Sequence, residues 1–501
     1  MKLLSRPLLA LLALLSSATS SPVHSPHDEL LIKTDVFAVQ GTVWPNNSAV
    51  HFFGNIPYAE RPIGNLRFRP PVTKAPSSEV KNGTWFGPSC IQYNNGQPTV
   101  YSEYLTGFLL SPGQNQSEDC LTVNVWAPKD AKAGDDLPVM IWIHGGGHTS
   151  GGAASPYKYG DRLAADQNVI VVAMNYRVNI FGYPGAAALD GRNLNPGLMD
   201  QRKAVEWTYA NIHAFGGNPE QMILFGQSAG GSSVDMYSYA YPFDPLVKGF
   251  IAQSGVASNG PVPTGSNFTY VANLVGCGNT TSPEAELQCM QKVNAEAIIK
   301  VYNEYNSTLN KGRSLSFSTA ADNQTRFTNY TDLQSRGLFA QIPTLYSTTN
   351  NEAVTLVTYT GPSGVNQTEV DLRSASGFSC PGDQAAAAKS SLGVPVWRTR
   401  YFGEWLNLNP LPWLGAYHSS DIPMIFGTSD LLGEDTEAER GVSEYYQGAW
   451  AAFARDPERG LLEYGWPRYV PSEETLVELG REGTTEAVLV AGDKFQGICE
   501  G

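Results

Sequence analysis

The chain has 501 residues, of which 42% are hydrophobic, 11% aromatic and 16% charged. That mixture excludes a disordered chain, which is poor in aromatics and dense in charge, and equally a collagen-like or coiled-coil repeat. A net charge of −14, without any long basic run, argues against nucleic acid or an anionic membrane surface as partner.

The N-terminus predicts a secretory leader over residues 1–20. Lys2 and Arg6 form a basic start, residues 8–15 an apolar run, and Ala18-Thr19-Ser20 a small-residue cleavage site, so the mature chain is expected to begin at Ser21. The apolar run is too short to span a bilayer, and no transmembrane segment is expected elsewhere. Six cysteines, an even number, suit an oxidising compartment. Asn-x-Ser/Thr sequons occur at Asn46, Asn82, Asn115, Asn267, Asn279, Asn306, Asn323, Asn329 and Asn366, and in a secreted eukaryotic protein some would carry glycans.

From 30 to 53, apolar and polar residues alternate around a Pro45-Asn46-Asn47 turn, which predicts antiparallel strands near a sheet edge. The short apolar runs 121–126, 139–143, 169–174, 222–225 and 249–252 predict strands buried on both faces. Helical stretches lie between them. In 197–215, Leu198, Val205 and Ile212 recur every seventh residue, and Gly216-Gly217 ends the pattern. The alternation predicts a mostly parallel sheet covered by helices, in one domain over 21–501. Residues 255–340 are rich in Asn, Thr, Ser and Gly and are expected to form an insertion or cap over that sheet.

Gly226-Gln227-Ser228-Ala229-Gly230 follows one of these strands and fits the pattern G-x-S-x-G, in which a strained turn lifts a nucleophilic serine above a sheet. His144-Gly145-Gly146-Gly147 follows another. Adjacent glycines let backbone N–H groups converge on one oxygen, so Gly146, Gly147 and Ala229 are candidates for an oxyanion hole. Hydrolases with such an elbow place their triad in the order Ser, acid, His, and of seven histidines only His418 follows Ser228. The acid is less determined: Glu352 follows a strand-like stretch, with Asp332, Glu369 and Asp371 as competitors.

Taken together, these segments resemble the type-B carboxylesterase and lipase family, which includes cholinesterases and fungal lipases. Further likenesses are Phe53-Gly54-Asn55-Ile56-Pro57-Tyr58-Ala59 with Leu66-Arg67-Phe68, Glu118-Asp119-Cys120-Leu121, Asn175-Tyr176-Arg177-Val178 and Gly415-Ala416-Tyr417-His418. The resemblance implies an α/β-hydrolase fold and a Ser228-Glu352-His418 triad that splits carboxylic esters through an acyl-enzyme. It also implies disulfides Cys90–Cys120, Cys277–Cys289 and Cys380–Cys499, an Arg67–Glu118 ion pair, and Ser254 as a support for Glu352. The chemistry needs no metal or cofactor, and the partner is a small-molecule or lipid ester. Residues 91–117 hold no Trp, so choline recognition of the cholinesterase kind is not expected. His148 replaces an aromatic residue common in the family and is expected as a pocket wall; Gln227 replaces a Glu and is expected to leave the chemistry unchanged. Two other readings keep the same residues: an acyltransferase or cyclising enzyme with this triad, and a catalytically silent binding module.

Overall fold

The computed structural model describes residues 30–92, 98–189, 191–261, 265–308, 315–359 and 361–500; the expected leader lies outside them. Eleven strands form one sheet: β1 (Thr42–Trp44), β2 (Asn47–Pro57), β3 (Thr122–Pro128), β4 (Leu137–Ile143), β5 (Ile170–Met174), β6 (Gly217–Gln227), β7 (Gly249–Gln253), β8 (Thr344–Thr349), β9 (Val396–Tyr401), β10 (Glu474–Leu479) and β11 (Val488–Ala491). Their spatial order is β11-β10-β9-β8-β7-β6-β4-β5-β3-β2-β1. The seven strands from β5 to β10 in this order run parallel to one another. Antiparallel strands flank them, β3, β2 and β1 on one side and β11 on the other.

The apolar runs are continuous because both sheet faces are covered. Met140 and Trp142 of β4 enter one core cluster with Ile223 and Phe225 of β6. Val139, Ile141 and Ile143 enter the opposite cluster with Met222 and Leu224. This is the period-2 geometry of a strand read on two buried faces. Run 121–126 is buried in the same way, yet β3 is antiparallel to both neighbours, a distinction that hydrophobicity does not encode. Segment 30–53 supplies β1 and β2, and also Leu31–Lys33 and Ala38–Gln40 of a separate three-stranded sheet.

The periodic stretch after residue 196 is helix α1 (Pro196–Asn211), which tightens into a 3-10 turn over Ile212–Phe215 and stops at Gly216, where φ is 91°. Helix α2 (Ala229–Ala240) springs from the end of β6. Segment 255–340 carries helices Ser266–Leu274, Pro283–Met290, Ala295–Thr308 and Tyr330–Ser335. Its apolar residues Phe268, Leu287, Met290 and Ile298 build a third core cluster, joined by Phe68 and Phe181 from outside the segment. Among the described residues no helix is long and apolar enough to cross a membrane.

All three expected disulfides are formed: Cys90–Cys120, Cys277–Cys289 and Cys380–Cys499. The Arg67–Glu118 pair is also present, as a two-pronged contact of 2.6 and 2.7 Å, while the third Arg67 nitrogen donates to the Met290 carbonyl. This one guanidinium therefore ties the first disulfide loop to segment 255–340.

Candidate active site

Strand β6 ends at Gln227 and α2 starts at Ala229, so Ser228 alone makes the turn, with φ 60° and ψ −123°. A non-glycine residue at such an angle is strained and needs its surroundings to hold it. The neighbours do so. Ser228 N–H donates to the Gln253 carbonyl at 2.8 Å, and Ser232 N–H donates back to Ser228 at 2.9 Å. The flanking glycines are there for clearance: a Cβ on Gly230 would sit 2.1 Å from the Ile143 carbonyl oxygen.

Loop 144–151 lies beside this turn. A Cβ on Gly145 would approach the Ser228 Cβ to 3.0 Å. Gly146, Gly147 and His148 all have positive φ, at 111°, 63° and 60°. Gly146 and Gly147 are exposed next to half-buried Ser228. Among the described residues their N–H groups, and that of Ala229 in the first turn of α2, have no hydrogen-bond acceptor. Three free donors thus border the serine.

Glu352 and His418 come from the strand ends beyond β7. Glu352 begins a 3-10 turn just after β8 and is fully buried. His418 sits on the loop after β9, also buried. The Nδ1 of His418 is 2.6 Å from Glu352 Oε2, and Glu352 Oε1 accepts the Thr349 N–H at 2.8 Å. Asn351 stitches the two loops together: its N–H donates to the Ala416 carbonyl and its side-chain amide to the Leu414 carbonyl, both at 2.8 Å. Tyr101 adds a third tie, donating to the His418 carbonyl at 2.6 Å. The competing carboxylates are elsewhere: Asp332 pairs with Arg336, Glu369 with Arg373, and Asp371 accepts from Gln367, all exposed.

Three positions depart from expectation. Ser254 Oγ is buried without a hydrogen-bond partner, so it does not support Glu352; the Thr349 N–H takes that place. Gln227 is not a bystander. Its Nε2 lies 3.1 Å from His418 Nε2, and because Nδ1 faces Glu352, the Gln227 amide is the donor onto the free lone pair. His148 is buried and bonded to Ser233 rather than simply lining a wall. Sequence reading also passed over Phe378, whose ring lies 5.0 Å from that of His418 and which stands on a π-helical turn, Ala375–Ser379. Nothing local marks Phe378; π-turns at sites of function are the general clue.

Burial sets the charges around the site. His144 and His148 are each pushed down to about 3, mainly by desolvation, so both rings are neutral. Asp421, three residues past His418, is pushed up to about 7, first by burial and then by the charge of Glu352. Its Oδ2 accepts from Gln253 at 3.2 Å and its Oδ1 has no partner.

A mostly parallel sheet with a strained serine at the end of a central strand, and a buried His–Glu pair on neighbouring loops, defines the α/β-hydrolase class. The sequence profile of the Carboxylesterase family matches residues 28–373 and 362–493. The chain is 38% identical over 485 residues to chlorogenic acid esterase of Aspergillus niger, covering 92% of this chain and 93% of that one. It is 38% identical over 474 residues to secreted lipase 5 of Gibberella zeae, covering 88% of each. A thermophilic PNB esterase structure superposes with a TM-score of 0.78 at 26% identity, covering 94% of this chain and 99% of that one. The chain belongs to the carboxylesterase family, and it is a carboxylic ester hydrolase.

Proposed function

We propose that the protein is a secreted serine esterase in which Ser228, Glu352 and His418 form the triad. The observation that carries this reading is the buried 2.6 Å contact between His418 Nδ1 and Glu352 Oε2 beside the Ser228 turn. Glu352 fixes the tautomer, leaving Nε2 as the base. Ser228 Oγ attacks the ester carbonyl carbon while its proton passes to Nε2. To reach that lone pair the serine hydroxyl displaces the Gln227 amide. The carbonyl oxygen gathers negative charge and is met by the N–H groups of Gly146, Gly147 and Ala229. His418 then gives its proton to the departing alcohol, and a water deprotonated by Nε2 releases the acid.

Carboxylic esters of small alcohols or lipids are the substrate class. The similarity to a chlorogenic acid esterase favours a pocket open to aromatic acyl groups, with Phe378 against His418 as one of its walls. Secretion is supported by the leader-like N-terminus, the three disulfides and the likeness to a secreted lipase. The exposed sequon residues Asn46, Asn82, Asn115, Asn279, Asn323, Asn329 and Asn366 are the expected glycan carriers. Segment 255–340 is read as a cap of the one catalytic domain over 21–501.

The test is covalent labelling. A fluorophosphonate probe should modify the purified protein stoichiometrically, and peptide mass spectrometry should place the adduct on Ser228. An adduct on any other residue, or none on folded protein, would remove Ser228 from the nucleophile's role.

A further inference from the structure

The loop that holds Gly146 and Gly147 and the helix that holds Ala229 are separate parts of the chain, 83 residues apart from Gly146 to Ala229. An oxyanion hole needs their N–H groups fixed relative to each other within a fraction of an ångström. Glycines cannot do this themselves, because they carry no side chain to anchor. His148 is the first residue after them that can.

The imidazole of His148 reaches helix α2. Its Nε2 is 3.0 Å from Ser233 Oγ on α2. Ser233 in turn accepts from the Gln201 amide of α1 at 3.1 Å. With that donor on its oxygen, the Ser233 hydroxyl is free to give its proton to Nε2. With Nε2 accepting, the hydrogen of the neutral ring sits on Nδ1. One assignment therefore satisfies Gln201, Ser233 and the ring, and it uses the neutral imidazole. Aromatic neighbours close the sides, with the Tyr183 ring centre at 5.3 Å and that of Tyr176 at 6.5 Å. The main chain is held as well: the Asn179 N–H donates to the His148 carbonyl at 2.7 Å. Together these contacts keep a non-glycine residue in the left-handed region, which costs on the order of 1–3 kcal/mol without such support.

We infer that His148 is a positioning residue that locks the two halves of the oxyanion hole together, joining the Gly146–Gly147 loop to the Ala229 end of α2 through Ser233. The inference rests on the esterase reading above, and adds to it a reason for a histidine at this position.

Its test compares wild type with His148→Asn, which tolerates positive φ but lacks the ring, and with Ser233→Ala, which removes the partner and leaves His148 in place. The readouts are kcat, KM and Tm on p-nitrophenyl butyrate, and Ki for a trifluoromethyl ketone, which mimics the tetrahedral state. Loss of an entire oxyanion donor costs about 10²–10³ in kcat, so a displaced one should cost less. The expected result for His148→Asn is a fall in kcat of about ten- to a hundredfold with KM within about threefold, and a rise in ketone Ki by the factor lost from kcat/KM. Ser233→Ala should shift the same two quantities in the same direction by a smaller factor. If His148→Asn does not fold, Ser233→Ala decides alone. Folded variants with kcat and ketone Ki within about twofold of wild type overturn the inference, as does a drop in Tm without a change in ketone affinity. Wild-type protein that neither turns over the ester nor binds the ketone overturns the esterase reading itself, and the inference with it.

Discussion

The centre of the sheet and the segment 255–340 are held by different means. At the centre, geometry is set by backbone on backbone. Gly226, Gly230 and Gly231 each face main-chain atoms too close for a side chain, and Ser228 is strained in the space they leave. In segment 255–340 the ties are side chains and a covalent bridge. Phe268, Leu287 and Met290 pack on Phe68, Arg67 reaches the Met290 carbonyl, Asn195 binds Ala320 and Thr325, and Cys277 joins Cys289. The first kind of region tolerates almost no added atom; the second can lose a contact and keep its shape. The proposed chemistry sits where tolerance is lowest, as catalysis asks for fixed donors and a fixed nucleophile.

Substitutions should divide along that line. The largest effect is expected from Glu352→Gln, which keeps the shape of the acid and removes the charge that orients His418. By analogy with triads of this design, kcat should fall about 10³–10⁴-fold, measured beside an unchanged Tm. Gly230→Ala comes next. Its Cβ would collide with the Ile143 carbonyl, so a loss of about 2–3 kcal/mol in stability and more than about tenfold in kcat is expected from urea titration and kinetics. In segment 255–340, replacing Cys277 and Cys289 by Ser opens a loop closed over 12 residues. That should cost about 2–3 kcal/mol by the same titration, yet leave kcat per folded molecule within about twofold. A large loss of kcat there would erase the contrast between the regions.

The last effect is on the pH dependence of stability and concerns Asp421. An unfolded aspartate titrates near ~3.9, whereas burial and the nearby Glu352 charge push Asp421 up to about 7 in the folded chain. Between these values the folded protein keeps a proton that the unfolded chain has lost. This contribution to stability is full at low pH and declines as pH rises through about 7. Asp421→Asn should flatten the fall in Tm between about pH 4 and about pH 7. A slope equal to that of wild type would assign it to other groups.

The same contrast explains what could be read in the sequence. Backbone-limited features leave glycines and unbroken apolar runs, so the elbow, the glycine loop and β4 to β7 were legible. Spacing left Glu352 as one candidate acid beside Asp332, Glu369 and Asp371, and only family resemblance singled it out and paired the six cysteines. Strand β9 was not legible, because it carries Arg398 and Arg400 among its residues. Arg398 is buried there only because Asp383 and backbone carbonyls meet it. Strand β10 likewise depends on what it packs against, whereas helix Glu437–Arg455 carries its own local signal, a Thr436–Glu439 capping box ahead of an amphipathic run, and was passed over. The contacts of Gln227 and His148 were missed for a similar reason: their partners, His418 and Ser233, lie 191 and 85 residues away. Short-range pattern cannot report a contact of that span.

The most direct test of the central claim is hydrolysis of p-nitrophenyl acetate, butyrate and octanoate by wild-type protein and by Ser228→Ala. The account predicts turnover by wild type and a loss of about 10⁴-fold or more in the variant, with Tm unchanged. Equal turnover by both proteins, or no turnover of any ester by folded wild type, would contradict it.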